Sequence, residues 1–206
     1  MLKRVSFGVE TRLVRDYWDA QVASFDEEPD HGLRDPEVRR AWLALLREHL
    51  PTAPATIADL GCGTGSLAVL LAEDGHRVEG IDLSAEMVRA AHAKATAAGA
   101  DATFRQGDAS DPQLEPGTFD VVLSRHVLWA LPDPSTALER WIALLRPGGR
   151  LVLVEGRWST GGGLTAEQCA SLVREHRQLS VVRPLDEAVY WGHEIDDERY
   201  LLTSLR

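Results

Sequence analysis

The sequence has little cysteine and no cluster of metal-binding side chains. Its two cysteines, Cys62 and Cys169, stand in different segments of the 206 residues and form no C-x-x-C or other ligand spacing. A chain of this kind has no disulfide framework and no thiolate metal site, which is typical of reduced intracellular proteins. We predict no metal site, because the scattered histidines show no ligand spacing either.

Membrane spans and secretory signals are also missing. No apolar segment approaches the roughly 18 residues that suggest a transmembrane helix. The first 20 residues are interrupted by charges every few positions, and they lack the apolar stretch of about 7–15 residues that a signal peptide has. We therefore expect a cytoplasmic protein.

Basic residues are fewer than acidic ones. The 22 Lys and Arg against 32 Asp and Glu give a formal net charge of −10, and the basic residues are scattered along the chain. Such a charge repels a phosphate backbone, so nucleic acid is disfavoured as a substrate and a small molecule is favoured. No long linker divides the chain, and its length predicts one domain over 1–206, since a domain usually has roughly 100–200 residues.

Strand and helix patterns alternate from residue 55 onward. The predicted strands are 55–60, 77–82, 102–106, 119–124, 151–155, 179–183 and 199–204, and the predicted helices are 12–25, one opened by Pro36, 66–73, 85–98, 135–146 and 166–178. This alternation implies right-handed crossovers and a mostly parallel sheet covered by helices on both faces. Ligands of such sheets bind at the carboxyl ends of the strands, where the strand order reverses.

A glycine turn joins the first predicted strand to a helix. Its glycines are spaced G-x-G-x-G behind Asp59, and Ser66 stands where a nicotinamide-dinucleotide fingerprint has its third glycine. Glycines let the backbone approach a ligand closely, and a helix N-terminus offers free N–H groups. The carboxylate of Asp59 would repel a pyrophosphate, but it suits a ligand that carries an ammonium group.

Two more carboxylates follow the next two strands. Asp82 ends the second predicted strand, where a carboxylate can accept two hydrogen bonds from ribose hydroxyls, and Asp108 follows the third strand. Three carboxylates after three successive strands predict a nucleoside with a cationic tail rather than a phosphate-rich cofactor.

This combination resembles the class I S-adenosylmethionine-dependent methyltransferases, and among them the small-molecule group called methyltransferase type 11. The matching segments, in the family's order, are 59–65, 79–83, 107–109, 119–134 and 145–154. The resemblance implies an α/β, Rossmann-like three-layer sandwich with a mostly parallel seven-stranded sheet of order 3-2-1-4-5-7-6 and an antiparallel last strand. It also implies S-adenosylmethionine as cofactor, S-adenosylhomocysteine as product and a small-molecule methyl acceptor.

The resemblance divides the chain into three parts. Residues 1–50 would form an N-terminal helical cap, 55–155 the cofactor-binding core, and 156–206 a substrate-side segment with the last two strands. Tyr17, Trp18 and Phe25 would belong to the cap, which closes over the cofactor. As an alternative, these aromatic side chains are plain core of an amphipathic helix.

The resemblance also assigns the cofactor site. Asp59, with the backbone around Gly61 and Gly63, would hold the methionine part, Asp82 would bind the ribose, and Asp108 with the Ala109 amide would bind the adenine edge. The other residues expected at the cofactor are Cys62, Leu83, Met87, Ser124, Tyr17 and Trp18.

Two histidines are the candidate catalytic residues. His126 follows the fourth predicted strand, which should end beside the transferable methyl, and a histidine titrates near neutrality. His126 is therefore the candidate general base, and His31 in the cap is a candidate second base. As alternatives, His126 only caps the following helix or packs against Trp129, and His31 is a loop residue.

Other functions stay open at this point. Cofactor binding and chemistry are separable, so one alternative is a protein that binds S-adenosylmethionine without transferring its methyl group. An NAD(P)-dependent oxidoreductase is disfavoured by Asp59 and Ser66, and a nucleic-acid methyltransferase by the net charge. The glycine-rich segment 156–163 belongs either to the substrate site or to an exposed connector. The residues specify neither the acceptor and its methylated atom nor the oligomeric state.

Overall fold

The fold is built on one seven-stranded sheet, which we describe from a computed structural model covering residues 7–205. The strands are β1 (Thr56–Leu60), β2 (Arg77–Asp82), β3 (Ala102–Gln106), β4 (Phe119–Arg125), β5 (Leu145–Arg157), β6 (Val181–Pro184) and β7 (Glu198–Ser204). The helices are α1 (Phe7–Phe25), α2 (Pro29–Gly32), α3 (Pro36–His49), α4 (Ser66–Glu73), α5 (Ala85–Ala98), α6 (Pro134–Ala143) and α7 (Ala166–Arg174). Two single 3₁₀ turns lie at Leu128–Ala130 and Ala188–Tyr190.

The strand order is β3-β2-β1-β4-β5-β7-β6, which confirms the predicted topology. Strands β1 to β5 pair in parallel, and β7 runs antiparallel to both β5 and β6. The strand order reverses between β1 and β4, and ligands of such sheets bind at the carboxyl ends of the strands beside this reversal. No helix in the described part of the chain is both long enough and apolar enough to cross a membrane.

The sheet is buried on both faces. Ile57, Leu123 and Val152 point to the face that α3, α4 and α5 cover, and their strand neighbours point to the face that α6 and α7 cover. Successive side chains of a strand alternate between faces, so parallel strands buried on both sides are apolar throughout. This sheet therefore forms a rigid platform for the residues at its carboxyl edge.

Local sequence signals set most helix ends. Asp35 accepts hydrogen bonds from the backbone at the start of α3, where Pro36 takes the first helical position. Ser84 caps α5, and Gly99 ends that helix in a left-handed conformation. Thr165 and Gln168 form the capping box that their spacing predicts.

Two predicted helices end earlier than expected. The helix predicted at 135–146 ends at Ala143, because the chain joins β5 at Leu145, which pairs with Phe119 of β4. The residue before Pro147 is also disfavoured in helical conformation. The helix predicted at 166–178 ends at Arg174, and Arg177 instead buries its guanidinium against Gly149 and Ser204.

The core residue Trp42 provides a test of this packing. Its ring is fully buried, and its Nε1 donates a hydrogen bond of 2.7 Å to the Tyr190 carbonyl. Trp42→Ala should lower the free energy of unfolding by about 3–5 kcal/mol, as measured by urea denaturation. The control Leu179→Ala truncates an exposed side chain and should change it by no more than about 0.5 kcal/mol. If Trp42→Ala lowers the free energy of unfolding by no more than the control does, Trp42 is not the core residue described here.

Candidate active site

The glycine turn after β1 has the conformation that its sequence predicts. Gly61, Gly63 and Gly65 all have a positive φ angle, a backbone conformation that residues with side chains rarely adopt. A Cβ on Gly61 would lie 2.3 Å from the side chain of Val127, so the close approach also requires glycine. The N–H groups of Gly61 and Cys62 both donate to the Ile81 carbonyl. Those two N–H groups therefore tie the turn to β2.

Asp59 is a buried carboxylate near the end of β1. It is 2% exposed, and none of the described residues hydrogen-bonds to its Oδ2. Burial raises the pKa of Asp59 to about 7, although Arg125 favours its ionised form. A buried polar atom without a partner costs free energy, so this oxygen fits a ligand that brings a positively charged donor.

Asp82 stands beside the same turn. One of its oxygens accepts from the Gly63 N–H at 2.8 Å and the other from the Ser84 N–H at 2.9 Å. Each oxygen keeps a second lone pair, which can accept from a ribose hydroxyl. Burial raises the pKa of Asp82, and the two backbone N–H groups oppose this by stabilising the charge.

Asp108 and Ala109 lie at the end of the neighbouring strand. The Gly107 N–H donates to the Asp82 carbonyl at 2.9 Å, which brings the exits of β2 and β3 together. Asp108 accepts from the Ser110 N–H at 2.8 Å, and the buried Ala109 accepts from the Trp141 indole at 2.6 Å. The three carboxylates predicted from sequence are therefore gathered at one edge of the sheet.

The other residues expected at the cofactor range from fully buried to exposed. Met87 is buried at the start of α5, and Leu83 is half-buried between Asp82 and the helix cap Ser84. The Ser124 hydroxyl is fully buried and donates to the Leu60 carbonyl at 2.8 Å, so its hydrogen bond holds β4 to β1. Tyr17 and Trp18 are 57% and 38% exposed.

Phe25 is the cap aromatic that reaches the glycine turn. Its ring lies 3.1 Å from where a Cβ on Gly63 would stand, and it stacks on the His31 ring at 4.4 Å. Trp18 packs edge-on against Phe25 at 6.1 Å. The cap therefore touches the turn through Phe25, with Trp18 behind it.

Two aspartates that were not predicted as site residues attach the cap to α5 and to the glycine turn. Asp19 accepts from the Ser84 hydroxyl at 2.5 Å, and Asp26 pairs with the Lys94 ammonium at 2.8 Å. Lys94 also donates to the Thr64 hydroxyl in the glycine turn. The spacing of seven residues between Asp19 and Asp26, about two helical turns, is the sequence signal that could have revealed them.

The structure brings the two candidate catalytic histidines together. Asp30, His31 and His126 each offer a donor atom, and these three atoms all lie within 4.8 Å of one another. The Asp30 Oδ2 atom lies 3.6 Å from the His31 Nε2 atom and 3.9 Å from the Arg125 guanidinium. Burial lowers the pKa of His31 and, more strongly, that of His126, and Arg125 lowers both further.

His126 has a constrained position at the end of β4. Its φ is +60°, which is unusual for a residue with a side chain, and its N–H donates to the Val154 carbonyl at 2.8 Å. Its ring is edge-on to Trp158 at 5.2 Å and stacked on Trp191 at 6.0 Å. The Nε2 atom is buried without a hydrogen-bond partner among the described residues.

Glu155 supports the turn that carries His126, and the sequence analysis did not assign it to the site. It is fully buried, and its Oε1 accepts from the N–H groups of Val127 and Leu128 at 3.1 and 2.8 Å. Burial raises the pKa of Glu155 to about 8. An acidic residue at the end of a predicted buried strand was the available signal.

The glycine-rich segment after β5 folds back on itself. The Trp158 N–H donates to the Gly162 carbonyl at 3.0 Å, and Arg157 forms a bridge with Gly163. Trp158 thereby lies between His126 and Trp129. The segment is a hydrogen-bonded turn that presents one aromatic ring to the site.

Sequence comparisons identify relatives of the chain. A family model described as "Methyltransferase domain" matches residues 58–153. The ubiquinone biosynthesis O-methyltransferase of Xanthomonas euvesicatoria pv. vesicatoria (strain 85-10) is 34% identical over 142 residues, which are 68% of this chain and 56% of that protein. The protein of that name from Xylella fastidiosa (strain 9a5c) is 33% identical over 172 residues, covering 79% of this chain and 70% of that protein. The chain thus spans little more than half the length of the first relative.

Solved structures share the fold at low sequence identity. The cyclase SpnF has a TM-score of 0.70 at 21% identity, and the match covers 81% of this chain and 80% of that one. Geranyl diphosphate methyltransferase, in complex with GPP and sinefungin, has a TM-score of 0.68 at 20% identity, with 81% and 77% covered. Because these structures establish the fold alone, the sequence relatives and the matched family model decide the family. The chain belongs to the class I S-adenosylmethionine-dependent methyltransferases.

Proposed function

We propose that the chain transfers the methyl group of S-adenosylmethionine to a hydroxyl oxygen of a small, planar acceptor. The observation that carries this proposal is the buried Asp59 carboxylate, whose Oδ2 has no partner among the described residues and which lies close enough to Asp82 to raise its own pKa. An ammonium group on a nucleoside cofactor would satisfy that oxygen. The printed names of the relatives, which are O-methyltransferases, support oxygen as the methylated atom.

The residues at the carboxyl edge fit the parts of this cofactor. Asp59 would bind the ammonium, with the backbone of the turn from Gly61 to Gly63 around the methionine part. Asp82 would accept from the ribose hydroxyls, and Asp108 with Ala109 would bind the adenine edge, beside Leu83 and Met87. Tyr17 and Trp18 would lie on the outer side of the bound cofactor. When bound, the cofactor supplies a methyl group on a positively charged sulfur.

The acceptor would bind on the other side, against the rings around His126. Trp158 and Trp191 contact this imidazole edge-on and face-on, and flat aromatic walls favour a flat ligand. The nearby guanidinium groups are balanced by carboxylates, since Arg199 bonds to Asp197 at 2.7 Å and Arg125 faces Asp30. A charge-balanced wall supports an uncharged acceptor.

The chain's contribution to the reaction would be alignment and exclusion of water. In-line displacement requires the acceptor oxygen to approach within about 3–3.5 Å of the methyl group, and holding that geometry supplies much of the rate enhancement. The hydroxyl proton must leave as the oxygen gains the methyl group. We propose that His126 and His31 orient that hydroxyl and that one of them accepts its proton, since a buried ring nitrogen of His126 has no other partner among the described residues.

Cofactor binding should depend on pH through Asp59. The pKa of Asp59 in the ligand-free protein is about 7, and an ammonium partner favours the ionised form. Affinity for S-adenosylhomocysteine, which carries the same ammonium group, should therefore rise about tenfold per pH unit between pH 5 and 7 and level off above. Calorimetry at pH 5.5, 6.5 and 7.5 measures this. The variant Asp59→Asn should bind weakly and lose this pH dependence.

The same carboxylate should make the ligand-free protein less stable in alkali. Its raised pKa means that the folded state favours the protonated form, so this stability is complete below about pH 4 and is lost as the pH rises through 7. Asp59→Asn should therefore melt at a higher temperature than the parent protein at pH 8, without cofactor. An equal or lower melting temperature would contradict the interpretation that the buried, ionised carboxylate of Asp59 destabilises the ligand-free protein.

A screen of hydroxylated aromatic compounds tests methyl transfer itself. With S-adenosylmethionine present, mass spectrometry should detect a product that has gained one methyl group on oxygen. His126→Ala should reduce turnover by about 10²-fold or more while leaving the affinity for S-adenosylhomocysteine within about twofold. The control His92→Ala changes an exposed histidine on α5 and should retain turnover. Cofactor binding without transfer to any acceptor would instead support the non-catalytic alternative.

A further inference from the structure

We propose that Asp30, His31 and His126 form a site for a divalent transition-metal ion at the junction of the cap and β4. Their donor atoms, which come from α2 and from the residue after β4, all lie within 4.8 Å of one another. Two imidazoles and one carboxylate are a set of ligands that Zn²⁺, Co²⁺ and related ions accept. Asp30 and His31 are adjacent in the cap, but His126 is distant in the sequence. The spacing of residues in the sequence therefore does not reveal this set of ligands.

The distances suit such an ion. The Asp30 Oδ2 and His31 Nε2 atoms are 3.6 Å apart, which is too long for a hydrogen bond between them. Two ligand atoms at about 2.1 Å from a tetrahedral ion lie about 3.4 Å from each other. The Asp30 and His31 atoms therefore already have nearly this separation, and the donor atom of His126 lies within 4.8 Å of both.

One of the three groups lacks the partner that its burial calls for. The Nε2 atom of His126 is buried and has no hydrogen-bond partner among the described residues. Asp30 is 5% exposed, and its carboxylate lies 3.6 Å from the His31 ring and 3.9 Å from the Arg125 guanidinium. Buried polar groups in native proteins are normally satisfied, and an ion bound by His126 would satisfy its ring nitrogen here.

The ring of His31 is already held in place. It stacks on the Phe25 ring, with the ring centroids 4.4 Å apart and the planes 15° from parallel. This contact restricts rotation of the imidazole, so the site has a supporting contact as well as ligands.

Arg125 carries a positive charge next to the site, and it limits which ions can bind. Its guanidinium donates a hydrogen bond to the Asp30 carbonyl and lies 3.9 Å from the Asp30 carboxylate. The carboxylates of Asp59 and Asp26 also interact electrostatically with this guanidinium. One carboxylate beside a guanidinium is a poor site for Mg²⁺ or Ca²⁺, which take mainly oxygen ligands. Two imidazole nitrogens, in contrast, bind Zn²⁺ and Co²⁺ strongly without adding charge.

An ion at this position would lie beside the proposed acceptor position, next to the rings of Trp158 and Trp191. Three protein ligands leave at least one coordination position open, as in catalytic zinc sites. In the ion-bound state a hydroxyl of the acceptor would occupy that position and lose its proton to solvent, because a bound metal ion lowers the pKa of such a group. His126 and His31 would then act as ligands and not as bases. This role rests on the proposed function, whereas binding of the ion does not.

Metal titration of the full chain tests the site without any acceptor or cofactor. Protein stripped with a chelator should bind one equivalent of Zn²⁺ in competition with a chromophoric chelator, and Co²⁺ should give visible absorption bands. Mg²⁺ at the same concentration should not compete. His31→Gln and His126→Gln should each weaken Zn²⁺ binding by about 100-fold or more, and His193→Gln, which changes an exposed histidine, should not.

Several results would overturn the proposal. These are no Zn²⁺ binding up to millimolar concentration, binding that His31→Gln and His126→Gln leave unchanged, or equal weakening by His193→Gln. If a variant does not fold, side-chain ¹⁵N resonances of the parent protein decide, since Zn²⁺ must shift those of His31 and His126. Because the readout uses the metal alone, failure here leaves the cofactor-binding results intact, and failure of methyl transfer leaves the metal result intact.

Discussion

The parallel pairing of β1 with both β2 and β4 is the constraint on which the rest of the structure depends. It makes β1 the central strand, buried on both faces, and it directs the carboxyl ends of β1, β2 and β4 to one edge. The turn after β1 is bonded to Ile81 of β2 and packed against Val127 beyond β4. Every proposed cofactor residue of the sheet stands at that edge as a consequence.

The same constraint explains why charge is buried there. A carboxylate near the end of a central strand loses its water, so Asp59 has a pKa of about 7 instead of about 4. Asp82 and Glu155 are buried in a similar way, but backbone N–H groups satisfy one or both of their oxygens. One oxygen of Asp59 and one of Glu155 are the exceptions, since neither has a partner among the described residues, and for Asp59 we propose the cofactor ammonium as that partner. Binding sites often retain such destabilising groups because a ligand restores the missing interaction.

The cap depends on polar contacts with the sheet. Asp19 and Asp26 bond to groups beside Asp82 and within the glycine turn, and Arg125 donates a hydrogen bond to the carbonyl of Asp30. Since these partners belong to the cofactor edge itself, the position of the cap is coupled to the geometry of that edge. This coupling is what sets His31 beside His126, two residues almost a hundred positions apart in the chain.

The sequence by itself determined the elements whose signals are local. The bounds of α4, β2, α5 and β3 agree with prediction, because a glycine turn, a serine cap and short apolar strands mark them within a few residues. The three carboxylates could be placed at one edge because each follows a strand and parallel strands end together. The end of α6 could not be predicted, because the pairing of Leu145 with Phe119 of β4 overrides the helical pattern. Only the tertiary structure decided that Asp30, His31 and His126 converge and that Glu155 supports the turn after His126. That geometry arises from packing between distant segments, which leaves no periodic pattern in the sequence.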